Sequence, residues 1–166
     1  GDPVPFIIDG HTWYHFEAGA YTWYSNEEKY YKNKFGALYN WFAAERGNLC
    51  PSGWEVPSRE DMMELIDYLE GTGSAGGKLK AQEIWINPNF EATNETGFNA
   101  LPGGFRFEKG QFIDMGYTGN YWNTNQGPIR KDYGGYLSLH HLYGYATLTY
   151  APKWNGFSIR CLKIDE

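Results

Sequence analysis

The sequence predicts an α+β domain, and three observations carry that reading. Aromatic residues make up 19% of the chain, seven Trp, fourteen Tyr and ten Phe, and they come with 21 Gly. Aromatics suit a half-buried pleated surface and glycine suits turns that need positive φ, so most of the chain reads as short strands joined by turns. Two stretches in the first half change to helical spacing, and a long loop-rich region rich in Gly and Asn parts them from the strands that follow. A doubly wound α/β chain would carry more Ala, Val and Leu.

At 166 residues, with 42% hydrophobic and 20% charged, the chain fits one globular domain. It divides into a Pro-punctuated tail over 1–12 and a single domain over 13–166. The net charge of −6 argues against nucleic acid and anionic membranes, whose binding depends on Lys and Arg. No apolar run is long enough to span a bilayer. The start, Gly1-Asp2-Pro3-Val4-Pro5, reads as trimmed, so the lack of a leader there says nothing about export.

Taken in order, the aromatic run Trp13, Tyr14, Phe16, Tyr21, Trp23 and Tyr24 reads as short strands paired in a hairpin around Gly19. His11 and His15, four apart in that strand-like context, read as surface residues rather than metal ligands. From Lys34 to Glu45 the period becomes helical, with Phe35, Leu38, Trp41 and Phe42 on one face and Gly47 as the stop. The second helix starts at Ser58, which caps its first turn while Asp61 completes a capping-box pair. Met62, Leu65, Ile66 and Leu69 form its apolar stripe, and Gly71 is expected to supply the left-handed cap.

The run Gly71 to Gly77 reads as a flexible loop and lacks the G-x-x-x-x-G-K-[ST] pattern of a phosphate cradle. Asn87 to Gly97 is a second loop, in which Asn94-Glu95-Thr96 formally matches a glycosylation sequon. Strands are expected at 98–101, 104–107, 111–113, 120–123, 136–139, 146–150 and 157–163, with Glu108-Lys109-Gly110 as a hairpin turn.

Cys50 and Cys161 sit in no metal-binding spacing. In one reading they pair, closing a loop of about 110 residues, which chain-entropy reasoning values at about 4.7 kcal/mol and which implies an oxidising compartment. In the other, they are two separate buried thiols. Alternation along the last strand puts Cys161 on one face with Phe157 and Ile159, so a bond to Cys50 would fasten that strand to the start of the second helix. Trp54 and Val56 are then expected to enter the core.

Six blocks resemble, in order, those of the Fibrobacter succinogenes major paralogous domain family: Phe35-Gly-Ala-Leu-Tyr-Asn-Trp, Cys50-Pro-Ser-Gly-Trp-Glu-Val-Pro-Ser, Gly76-Gly-Lys-Leu-Lys, Gly97-Phe-Asn-Ala-Leu-Pro-Gly-Gly-Phe-Arg, Gly119-Asn-Tyr-Trp and Trp154-Asn-Gly-Phe-Ser-Ile-Arg-Cys. The resemblance runs from about Trp13 to Lys163. It implies a C-type-lectin-like fold, two helices packed on short antiparallel strands with long loops, related to formylglycine-generating enzymes. It also implies a secreted or lipid-anchored surface protein of Bacteroidetes or related bacteria, and a Cys50–Cys161 disulfide.

Chemistry is sparse. Calcium-dependent sugar binding needs E-P-N or Q-P-D together with W-N-D, and the nearest strings are Asn87-Pro88-Asn89 and Trp122-Asn123-Thr124. A formylglycine-generating enzyme needs a close pair of reactive cysteines, and Cys161 stands alone near the C-terminus. His140 and His141, adjacent on a strand, would face opposite sides. No hydrolase or metalloprotease motif is visible, so no catalytic residue, cofactor or metal is assigned.

The remaining candidate is an aromatic and amide-rich surface of Tyr121, Trp122, Asn123, Asn125, Arg130, Tyr133, Tyr136, Tyr143, Tyr145, Tyr150 and Trp154. Such residues stack on sugars and equally favour protein interfaces. Tyr121, Trp122 and Trp154 have an alternative reading as core, while Tyr133, Tyr143 and Tyr145 are the better candidates for exposure. The expected function is a non-catalytic recognition module, extracellular or on the outer surface of a bacterium, binding a polysaccharide; the alternative is a protein-binding or structural surface component, an adhesin or assembly subunit.

Overall fold

The computed structural model describes residues 3–164; Gly1, Asp2, Asp165 and Glu166 lie outside the described residues. Its mixed α+β architecture agrees with the expected class. The helices are α1 (Gly10–His15), α2 (Glu28–Phe35), α3 (Trp41–Glu45), α4 (Arg59–Tyr68) and α5 (Thr72–Leu79). The strands are β1 (Tyr21–Thr22), β2 (Leu38–Tyr39), β3 (Trp54–Glu55), β4 (Gly103–Arg106), β5 (Phe112–Met115), β6 (Thr118–Gln126), β7 (Tyr133–His140), β8 (Ala146–Pro152) and β9 (Leu162–Lys163). A five-stranded sheet runs in the order β5-β4-β6-β7-β8, and two small sheets pair β1 with β2 and β3 with β9.

The first stretch departs from the expected hairpin around Gly19. Asp9 accepts hydrogen bonds from the Thr12 backbone N–H and hydroxyl, both at 2.7 Å, and this N-cap starts α1 instead. Trp13 turns inward at 0% exposure, and Phe16, three residues on, packs against the small cluster of Ile7, Trp13 and Ala20. A helical i, i+3 pair had looked like strand alternation because the intervening Tyr14 is also aromatic. β1 pairs with β2 across a longer connection, Tyr21 opposite Tyr39. Ile7, ahead of residue 13, is a buried member of this cluster.

Of the single helix expected over 34–45, only the last part is helical, as α3: α2 lies almost wholly before residue 34, and Leu38, expected on the helical face, is in β2. Gly36, at φ +77°, ends α2 and β2 follows. Asn40 then restarts the helix by accepting from the Ala43 N–H at 3.2 Å. The same buried amide bonds Ala20 N and Ala18 O, tying β2 to the N-terminal segment.

α4 forms as the sequence dictates, with both halves of the Ser58–Asp61 capping box present. Its left-handed residue is Glu70, at φ 70°, one before the expected Gly71. The Gly71 N–H reaches back to Ile66 O at 2.9 Å and the Glu70 N–H to Asp67 O at 3.1 Å, a Schellman closure.

The glycine-rich loop expected over 71–77 is instead α5. Tertiary contact explains a helix of such low propensity: a Cβ at Gly76 would collide with the Tyr145 carbonyl and one at Gly77 with the Glu91 carbonyl. The Gly77 N–H donates to Gly144 O at 2.8 Å. Glycine here lets two loops press against bare helix backbone.

Of the expected strands, 98–101 contributes only a bridge from Ala100 to Lys80, and 157–163 breaks into bridges at Phe157 and Ser158 followed by β9. The β4–β5 hairpin turns at Glu108-Lys109-Gly110 as read, with Gly110 at φ +101°. Cys50 and Cys161 are bonded, 111 residues apart, next to the β3–β9 pair. Val56 enters the core, whereas Trp54 stays 44% exposed because its strand has only β9 beside it.

Successive residues on a strand face opposite sides, and β6 and β7 use this to divide the core. Tyr121, Leu137 and Leu139 meet Met62 and Ile66 of α4 and Leu79 of α5, while Trp122 meets Trp41 of α3 and Phe157 on the other side. The rings of Trp122 and Phe157 lie 4.2 Å apart. At 150–250 Å² per buried aromatic and about 25 cal/mol per Å², each such ring contributes about 4–6 kcal/mol of transfer free energy.

Candidate functional site

The expected aromatic surface is not one surface. Tyr121, Trp122 and Asn123 lie in the interior at 4%, 0% and 0% exposure. The Tyr121 hydroxyl donates to Leu101 O and accepts from Leu101 N–H, and burial pushes its pKa up to about 12. The Trp122 indole donates to Tyr39 O at 2.7 Å. The Asn123 side-chain oxygen accepts from the Asn125 N–H, and the Asn123 main-chain carbonyl accepts from the Trp41 indole. Tyr136 packs on Trp122 and Phe157, and burial raises its pKa as well.

The others scatter. Asn125 accepts from the Arg59 N–H at 2.6 Å and donates to Glu60, so it serves the first turn of α4, where Tyr150 also lies under Arg59. Arg130 stacks on Tyr133 at 4.1 Å and pairs with Asp132 at 2.6 Å. Trp154 joins Tyr14 and Phe42 beside α1 and α3. Tyr133 begins β7 opposite Pro152, while Tyr143 and Tyr145 occupy the turn beyond its other end. Seven strand steps separate those ends, about 24 Å.

What the fold does gather is a shelf around that β7–β8 turn. Tyr143 and Tyr145 stack with centroids 4.7 Å apart and planes 16° from parallel, and His140 lies against Tyr143 at 5.2 Å. His141 meets Tyr117 edge to face and bonds Ile86 O through Nδ1 at 3.1 Å, and its carbonyl accepts from Phe90 N–H. Ile86, Phe90, Tyr117, Leu142, Tyr143 and Tyr145 are thereby brought together, each 40% to 47% exposed. Sequence reasoning found the two tyrosines of the turn and missed the rest. The available signal was Ile84-Trp85-Ile86, an apolar alternation inside a stretch punctuated by Asn and Pro, with Trp85 buried and both isoleucines left outside.

Beneath the shelf lies Lys80, fully buried, whose Nζ donates to Phe90 O at 2.9 Å, His140 O at 3.1 Å and Tyr143 O at 2.8 Å. One ammonium therefore fastens three shelf segments by their main chains. Burial pushes its pKa down to about 8, with Glu91 opposing the shift. Burial also lowers the His140 pKa, with His141 adding to it.

A second hollow, about 320 Å³, lies between α4 and β9 over Met62, Leu65, Phe98, Leu137 and Leu162. Arg160 at its rim stacks on Phe98 and donates to the Phe98 and Asn99 carbonyls. Among the described residues no cluster of three or more His, Cys, Asp or Glu side chains assembles, and no helix is long and apolar enough to cross a membrane.

These features define an α+β domain, stapled by a disulfide, that presents an apolar, aromatic surface built from loops at one end of its main sheet. The chain belongs to the Fibrobacter succinogenes major domain family, whose match covers residues 1–163. No curated protein and no solved structure matches it.

Proposed function

We propose that this domain is a non-catalytic recognition module of an exported or surface-anchored bacterial protein, with the shelf around Tyr143 and Tyr145 as its binding surface and a protein as its ligand. The observation that carries the reading is the concentration of six large, half-exposed apolar side chains on one set of loops, since contiguous exposed apolar patches mark interaction sites and Tyr is favoured at interface hot spots. The disulfide supports export, because such bonds persist in oxidising compartments. A C-type-lectin-like arrangement is part of this proposal, supported by the order of helices, long loops and strands and by the tie between the α4 start and β9.

A polysaccharide ligand is the second reading. The two exposed tyrosines favour it, because their rings and hydroxyls are groups that sugars use. The amides expected to assist are otherwise engaged, Asn123 with Asn125 and Asn125 with Arg59 and Glu60. Binding to bacterial envelope proteins and to a glycan array, each measured for the wild type and for Tyr143→Ala and Tyr145→Ala, tests both. A protein ligand lost on either substitution supports the first reading, and a glycan ligand lost in the same way supports the second. Ligand binding that ignores both substitutions moves the site elsewhere.

A further inference from the structure

We propose that His11 and His15 form a two-imidazole chelating site for a borderline divalent transition metal of the Cu(II), Ni(II) or Zn(II) class. A strand would have kept these residues apart; α1 puts them together. Trp13 fixes the orientation of the helix by facing the core at 0% exposure. At about 100° per residue, positions 11 and 15 each fall about 160° from Trp13 and about 40° from one another, on the outer face. Both side chains are exposed and their ring centroids are 4.5 Å apart. Two imidazoles sharing one ion at 2.0–2.1 Å, with a near-tetrahedral angle at the metal, have centroids about 5 Å apart, so a small rotation of the exposed rings suffices.

Neither imidazole has a hydrogen-bond partner among the described residues, so no existing bond must be broken. Asp9, whose carboxylate interacts with His11, adds negative potential beside the pair and keeps a low pKa, chiefly through its bonds from Thr12. With no cluster of three or more His, Cys, Asp or Glu side chains there among the described residues, water fills the remaining positions. Such a site suits exchangeable binding of metals that take imidazole, while Mg(II) and Ca(II) prefer oxygen donors. The chain's other two histidines are engaged: His141 Nδ1 with Ile86 O, and His140 Nδ1 with the Leu142 N–H.

The test is titration of the full chain with NiCl₂, CuCl₂ and CaCl₂ at pH 7.5, by calorimetry and by intrinsic fluorescence. One Ni(II) or Cu(II) is expected per chain, Cu(II) the tighter, with no response to Ca(II). Cu(II) is expected to quench the emission of Tyr14 and Trp154, whose rings lie next to His15 and to Tyr14 respectively. His11→Gln and His15→Gln are each expected to weaken binding about a hundredfold, the order of gain that tethering two donors gives. A measurement that needs no variant is diethyl pyrocarbonate modification, from which Ni(II) should protect His11 and His15 alone. Absence of binding in the wild type, binding that persists in both single variants, or protection confined to His140 would overturn the assignment.

Discussion

The guanidinium carbon of Arg106 lies 4.4 Å from the centre of the Trp13 ring, with Trp13 0% and Arg106 1% exposed. From that position its two Nη atoms donate to Ile7 O at 2.7 Å and Ile8 O at 2.6 Å, so one side chain of β4 holds the N-terminal segment against the sheet. Arg106→Met would leave the buried Ile7 carbonyl unpaired at about 1–3 kcal/mol, hand the part-buried Ile8 carbonyl to water, and lose a desolvated cation–π contact of about 2 kcal/mol. A destabilisation of about 3–5 kcal/mol is expected by urea unfolding, with faster amide exchange over residues 6–9 than elsewhere. Uniform loss of protection along the chain would contradict a local clasp.

Lys80 gives a pH signature. Its folded pKa is pushed from 10.5 down to about 8, so between those values the unfolded chain holds a proton that the folded chain has released. Stability from this residue is therefore fully present above about pH 10.5 and is lost progressively as pH falls from there through about 8, an effect on the order of 3 kcal/mol in all. The wild type should gain stability relative to Lys80→Met between pH 7.5 and 9.5. At neutral pH, where the ammonium supplies all three N–H donors, Lys80→Met should be the less stable, because three carbonyls lose their donor. Parallel pH curves for the two proteins would show that the ammonium is not desolvated.

The two halves of α5 respond oppositely to one substitution. Gly76→Ala drives a Cβ into the Tyr145 carbonyl, and a loss of about 3 kcal/mol is expected. At Gly73 nothing lies within 4 Å, and Gly73→Ala is expected to stabilise by about 0.5–1 kcal/mol through helix propensity. Equal effects at the two sites would mean that the turn does not press on the helix.

Replacing both disulfide cysteines by Ser removes a link across 111 residues, which should lower stability by about 2–5 kcal/mol. Ligand binding at the shelf is expected to be unchanged, since the bond lies by β3 and β9. A parallel loss of binding in the folded variant would place the site near the disulfide instead.

Tyr145→Ala and Trp122→Ala separate surface from core. Trp122, at 0% exposure with its indole bonded to Tyr39 O, is expected to cost about 3–5 kcal/mol on truncation. Tyr145, 45% exposed, is expected to change the melting temperature little while abolishing binding. Thermal unfolding of the two proteins side by side reads the difference.

How much was legible follows from where each signal resided. α4 was readable because Ser58 and Asp61 carry its start in four consecutive residues, and the β4–β5 turn because Glu108-Lys109-Gly110 does the same. α5 was unreadable because its glycines earn their place through Tyr145 and Glu91, remote in sequence. α1 was hidden by Tyr14, whose aromatic ring filled in a helical pattern until it resembled a strand. In the site, Tyr143 and Tyr145 could be picked as exposed because they fell outside the family's blocks. Tyr121 and Trp122 have the same chemistry, and their place in the family's blocks offered the core reading that holds; for Asn123, only the position of β6 at the centre of the sheet tells that it faces inward. Lys80 left no local mark, since a lysine beside Leu79 looks like any surface cation until three distant carbonyls converge on it.

The shelf loops are held by main-chain atoms. Gly77 binds the Gly144 carbonyl, His141 the Phe90 N–H, and Lys80 the carbonyls of Phe90, His140 and Tyr143. None of these attachments depends on the side chain carried by residue 90, 142, 143 or 145. The protein thus separates the part that must be kept from the part that can be rewritten: exchanging those four residues for others would change the surface presented at small cost to folding, and under the proposed function a new specificity is reachable by point changes alone.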